Sequence, residues 1–121
     1  MIDHKDQPHD WSFLMLKERN KTLENKSIPN ELDILGLRYK IEQVPCVNKF
    51  EPRKGEVDFL TNVIRIDENM PEDMKVQTLI HEVLHCLCDA FGLYDLNENE
   101  NAIQSLATGL YCVFVRKEIF N

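Results

Sequence analysis

Apolar residues along this chain recur at two different spacings, and the changes between them fall at proline, glycine and asparagine. In residues 35–44, Leu37, Tyr39 and Ile41 alternate with Arg38, Lys40 and Glu42, the period of a strand with one buried face, and Pro45 ends the run. Residues 56–60 and 63–66 read as two further strands, with Thr61-Asn62 between them as a tight turn. The three runs predict a small, mainly antiparallel, three-stranded sheet with 63–66 as an edge strand. From Asn69 the spacing becomes helical. Pro71 at the first helical position and Glu72 and Asp73 in the first turn favour a start there. Val76, Ile80, Val83, Leu84, Leu87 and Phe91 make the apolar side, and Gly92 stops the helix. A last helix is expected over about 98–117, burying Ile103, Leu106, Ala107, Leu110, Val113 and Phe114. Gly109 inside it costs ~1 kcal/mol relative to alanine and is expected to mark close contact with the preceding helix.

The first 26 residues read as an extension. Residues 1–10 are polar and place His4 and His9 in solvent, while 10–26 predict a helix with Asp10 as N-cap and Trp11, Leu14, Met15 and Leu23 as its stripe. Residues 27–121 would form one α+β domain, a short sheet against two helices.

Composition narrows the function. A hydrophobic share of 43% and a charged share of 29% are those of an ordinary globular domain. The formal charge of −7 gives a nucleic-acid partner no electrostatic support. No apolar run approaches the ~20 residues of a membrane span, and the N-terminus does not resemble a signal peptide, so a cytoplasmic protein is expected. Cys46, Cys86, Cys88 and Cys112 make no C-x-x-C pair and are expected to be reduced. Cys88 shares a helix face with His81, as a core thiol or an auxiliary ligand. The Arg53-Lys54 pair reads as a solvated loop tip.

The chemistry concentrates in His81-Glu82-Val83-Leu84-His85. Residues four apart on a helix stand one turn above each other, so both imidazoles can bind one ion. Glu82 then lies close enough to deprotonate a water on that ion, the H-E-x-x-H arrangement of zinc peptidases. Catalytic zinc takes three protein ligands and keeps one open position. No histidine follows His85, so the third ligand must be a carboxylate or a cysteine. Glu100 lies in line with the stripe Ile103, Ala107, Leu110 and Phe114. A carboxylate aimed into a core is costly unless paired or metal-bound, which favours it over Glu98. Helix capping competes: Asp95-x-x-Glu98 and Asn97-x-x-Glu100 both have capping-box spacing.

From about Ser27 to Val115 the chain resembles the small ImmA/IrrE-type metallopeptidase-like proteins, particularly compact phage or prophage versions. The resemblance rests on Ile28-Pro29 before a strand, Gly55-Glu56-Val57-Asp58 leading to Val63-Ile64-Arg65-Ile66-Asp67, Thr78-Leu79-Ile80-His81-Glu82, and an acid-led helix ending Leu106-Ala107-Thr108-Gly109-Leu110. It implies a zincin-type fold, zinc as cofactor and a glutamate ligand on the following helix, which maps to Glu100. The expected activity is zinc-dependent hydrolysis of a peptide or protein, with Glu82 as general base. The alternative is a catalytically weak or inactive zinc-binding protein of the same fold that docks a protein partner. Tyr94 and Tyr111 are candidate oxyanion donors, with neither assigned.

Overall fold

Among the described residues four strands, not three, form the sheet, and it is mixed rather than mainly antiparallel. The computed structural model describes residues 28–116; the predicted helix over 10–26, His4, His9 and the end of the last predicted helix lie outside the described residues. Strand β1 spans Glu31–Ile34, β2 Leu37–Val44, β3 Gly55–Asp58 and β4 Val63–Asp67. Their spatial order is β1-β2-β4-β3, with β2 and β4 parallel and the other two pairs antiparallel. The 63–66 run expected at the edge is therefore interior, and β1 and β3 are the edges. The segment between β2 and β3 carries the chain past the place of β4, so the β3–β4 hairpin returns on the inside.

Strand β1 escapes the sequence pattern because it is short and because its turn is unusual. The two residues joining β1 to β2, Leu35 (φ 53°) and Gly36 (φ 86°), both lie in the left-handed region. That is the backbone of a tight hairpin turn, which asparagine or glycine normally announces at the first position and leucine does not. Asp33 Oδ1 accepts the Gly36 N–H at 2.8 Å and holds the turn.

One sheet face carries Tyr39, Ile41, Ile64 and Ile66, all buried, and packs with Ile34 against Leu79 and Cys86 of helix α1, Glu72–Phe91. The other face is charged. Arg65 reaches Glu56 at 3.1 Å and Glu42 at 3.6 Å, a three-strand ladder that ties edge strand β3 to β4 and β2.

Helix α1 starts after Pro71 and ends at Gly92 (φ 70°), as its sequence signals predict. Its sheet-facing side is not the predicted one. Lys75, Thr78, Leu79, Glu82 and Cys86 are buried, Val83 and Leu87 are only partly so, and Phe91 is 64% exposed. Apolar residues wrap more than one face of this helix, so their spacing leaves its rotation open. The rotation adopted carries Glu82 inward. Lys75 is anchored by Gln43 at 2.8 Å and Glu72 at 3.2 Å, which binds the start of α1 to β2.

An unpredicted short helix α2, Tyr94–Glu98, precedes the predicted last helix over about 98–117, which is α3, Glu100–Leu110, and a π-helical turn, Tyr111–Arg116. Ile103, Ala107 and Tyr111 are buried, but Leu106 and Phe114 of the expected stripe are exposed. Gly109 marks no close contact, since a Cβ there would meet nothing within 4 Å. Gly109→Ala should therefore raise stability by about 1 kcal/mol, read as a higher urea midpoint with an unchanged slope.

All described cysteines are free thiols. Burial pushes the Cys86 thiol up to about 11 and raises that of Cys88, as befits unreactive core residues. No helix among the described residues is long and apolar enough to cross a membrane.

Candidate metal centre

The reversal after α1 decides what faces the motif. Gly92 gives its N–H to the carbonyls of Cys88 and Asp89, α2 follows, and Asn99 then caps α3 by accepting the Ala102 N–H at 3.0 Å. Neither Asp95 nor Asn97 takes the capping role the sequence allowed them. Glu100 becomes the first residue of α3 and reaches back to the histidines. Its Oε1 lies 3.0 Å from His81 Nε2 and its Oε2 3.0 Å from His85 Nε2. The two Nε2 atoms are 3.3 Å apart. The three residues form a group whose ligand atoms all lie within 4.8 Å of one another. Glu98 and Cys88 are not in it. Glu100 arrives by a different route from the one the sequence suggested, because its side chain is 65% exposed rather than aimed into a core.

Hydrogen bonds to the far side of each ring specify its proton. His81 Nδ1 meets Gln104 Oε1 at 2.8 Å, and His85 Nδ1 meets Asn97 Oδ1. The Gln104 amide is itself oriented, its Nε2 donating to Thr108 Oγ1 at 3.2 Å. Amide oxygens only accept, so both Nδ1 atoms carry hydrogen and both Nε2 lone pairs point at the Glu100 carboxylate. Lone pairs gathered this closely repel unless a proton or a metal ion stands among them. Protonating both Nε2 atoms would instead set two N–H groups against each other across 3.3 Å. The group could thus hold a metal ion.

Sequence reasoning weighed Asn97 only as a helix cap and missed Gln104. A signal existed for Gln104, which stands one helical turn beyond Glu100 on the same face. Removing either amide frees a ring to rotate and to change tautomer. Gln104→Ala and Asn97→Ala are each expected to weaken metal binding by roughly 10–100-fold, measured by competition with a chromophoric chelator.

Glu82 is 7% exposed and sits beside the group, under β3. Burial pushes its carboxyl above the usual carboxylate range; His81 and His85 pull it down, while Glu100 and Glu56 add to the rise. His81, His85, Glu100 and Glu82 line a cavity of about 650 Å³ whose other walls include Gly55, Val57, Phe59, Met74 and Thr78. Arg53 and Lys54 are exposed loop residues, as expected, and also border this cavity, with Arg53 paired with Glu51 at 3.2 Å. Neither Tyr94 nor Tyr111 lines the cavity. No protein-family model, curated protein or solved structure matches the chain.

Proposed function

We propose that this chain is a zinc-dependent peptidase of the zincin type, with His81, His85 and Glu100 as metal ligands and Glu82 as general base. The observation that carries the reading is the convergence of two imidazole lone pairs and one carboxylate beside a second, buried carboxylate in an open cleft. Zinc fits this donor set: at bond lengths of ~2.0–2.1 Å, tetrahedral ligand atoms stand about 3.3 Å apart. Their separations here are 3.0–3.4 Å. The motif order shared with ImmA/IrrE-type proteins supports the same reading.

When bound, zinc supplies a Lewis acid and brings the pKa of a water toward ~7. The chain's residues do the rest. Glu82, shielded from solvent under β3, takes the proton of the attacking water and passes it to the leaving amine. The raised carboxyl suits a group that must both accept and return a proton. Asn97 and Gln104 hold the two rings.

Substrate binds along β3, not along the 63–66 run. Asp67 N donates to Lys54 O at 2.9 Å, which fixes the alternation of this antiparallel ladder. Glu56 and Asp58 then spend their main-chain groups on β4. Gly55 and Val57 direct theirs to the free edge, where an extended peptide can add as a further strand.

Incubation with casein, with chelator and then with one equivalent of added zinc, tests the reading. Cleavage that chelator stops and zinc restores is expected. Zinc binding that raises the melting temperature without any cleavage would leave a zinc-binding docking module instead.

A further inference from the structure

Gly55 stands where β3 crosses closest to α1. A Cβ built on it would lie 2.7 Å from Thr78 Cγ2, 3.1 Å from the Arg65 carbonyl oxygen and 3.2 Å from Glu82 Oε2. The first distance is shorter than real carbon contacts, and the partner is a stiff, β-branched side chain that is itself buried. Gly55 is not a turn glycine, since Gly36 and Gly92 are the glycines with positive φ among the described residues. What the position requires is space, and that space is shared by Thr78 and Glu82, one helical turn apart on the sheet-facing side of α1.

We infer that Gly55 is a positioning residue whose missing side chain sets where the Glu82 carboxylate stands beneath the edge strand. The inference rests on Glu82 acting as the base. Any side chain at position 55 must first displace Thr78 Cγ2, and the adjustment that follows, together with its own 3.2 Å approach to Oε2, shifts the carboxylate, the far end of a flexible side chain. A displacement of a few tenths of an ångström to one ångström is enough to matter, because misplacing a reacting group by about 1 Å can cost ~10²-fold in rate. None of the three atoms nearest to that Cβ belongs to His81, His85 or Glu100, so the metal geometry is expected to survive the substitution, as are the main-chain groups offered to substrate.

The test compares wild type, Gly55→Ala, the double variant Gly55→Ala/Thr78→Ser and Glu82→Gln, all zinc-loaded, on a peptide cleaved in the casein digest. Gly55→Ala should lower kcat by about tenfold or more, with KM within roughly twofold. Zinc content, and the visible spectrum of the cobalt-substituted protein, should match wild type. Serine removes the Cγ2 atom that collides first, so the double variant should regain much of kcat, and its metal-free melting temperature should exceed that of Gly55→Ala. Wild-type kcat in Gly55→Ala, or a lost zinc ion, or a double variant no better than the single in either readout, overturns the inference. If Glu82→Gln itself turns over normally, the assignment of the base has failed, which is a separate result.

Discussion

Glu100→Ala is expected to yield a folded protein that no longer retains zinc, whereas Glu98→Ala keeps it. Glu100 supplies both carboxylate oxygens that meet the two Nε2 atoms, and no other acid among the described residues joins the group. Two imidazoles alone leave a catalytic zinc site one ligand short. Because the Glu100 side chain is 65% exposed, its removal opens no core cavity, and loss of metal is separable from loss of fold. Zinc at 1,000 times its dissociation constant stabilises a protein by about 4 kcal/mol. In wild type and Glu98→Ala that should appear as a melting temperature many degrees above the chelated protein. In Glu100→Ala, zinc should leave the midpoint where it was. Elemental analysis after gel filtration checks the same point directly. Zinc kept by Glu100→Ala and lost by Glu98→Ala would reverse the ligand assignment.

Glu82→Gln should separate catalysis from stability, and in opposite directions. Glutamine keeps the shape but cannot take a proton, so turnover should fall by roughly 10²–10⁴-fold, with zinc content unchanged. The metal-free variant should meanwhile melt higher than metal-free wild type near neutral pH. Burial raises the Glu82 carboxyl above its ordinary value, so the folded state favours the protonated form. Below the ordinary carboxylate range both folded and unfolded chains hold that proton, and the site costs nothing. As pH rises through the raised value, the unfolded chain ionises freely while the folded one must hold a buried charge, and wild type loses stability relative to Glu82→Gln. Melting curves in chelator from acid to neutral pH should coincide at the acid end and separate with wild type lower. Curves that stay together at neutral pH would mean that the buried carboxylate carries no such penalty.

The parts of the fold that were legible in the sequence are those with strong local signals. Alternation marked β2, Pro71 and Gly92 marked the ends of α1, and the four-residue spacing of His81 and His85 put both rings on one face. Long-range decisions were not legible. Whether β4 lies inside or at an edge depends on where the connection after β2 leads the chain, and no local pattern encodes that. The face that α1 turns to the sheet was hidden because Leu79, Val83, Leu87, Ile80 and Leu84 spread over a broad apolar arc, and only the Leu79 side of it is buried on the sheet. Glu100 is instructive: the sequence pointed to it through a buried stripe, yet it sits exposed and reaches the histidines because Asn99 begins a new helix just before it. Gln104, and the contact Asn97 makes to the His85 ring, went unread because second contacts to a ring are made across elements, and amides carry no charge pattern to betray them.

The most direct measurement is digestion of a peptide library by the zinc-loaded protein in ¹⁸O-water, with zinc-loaded Glu82→Gln beside it and products read by mass spectrometry. Hydrolysis by a water that Glu82 activates predicts new C-termini carrying ¹⁸O in wild type, their disappearance with chelator, and none above background in Glu82→Gln at equal zinc content. New C-termini formed equally by both proteins, or formed undiminished in chelator, would contradict it.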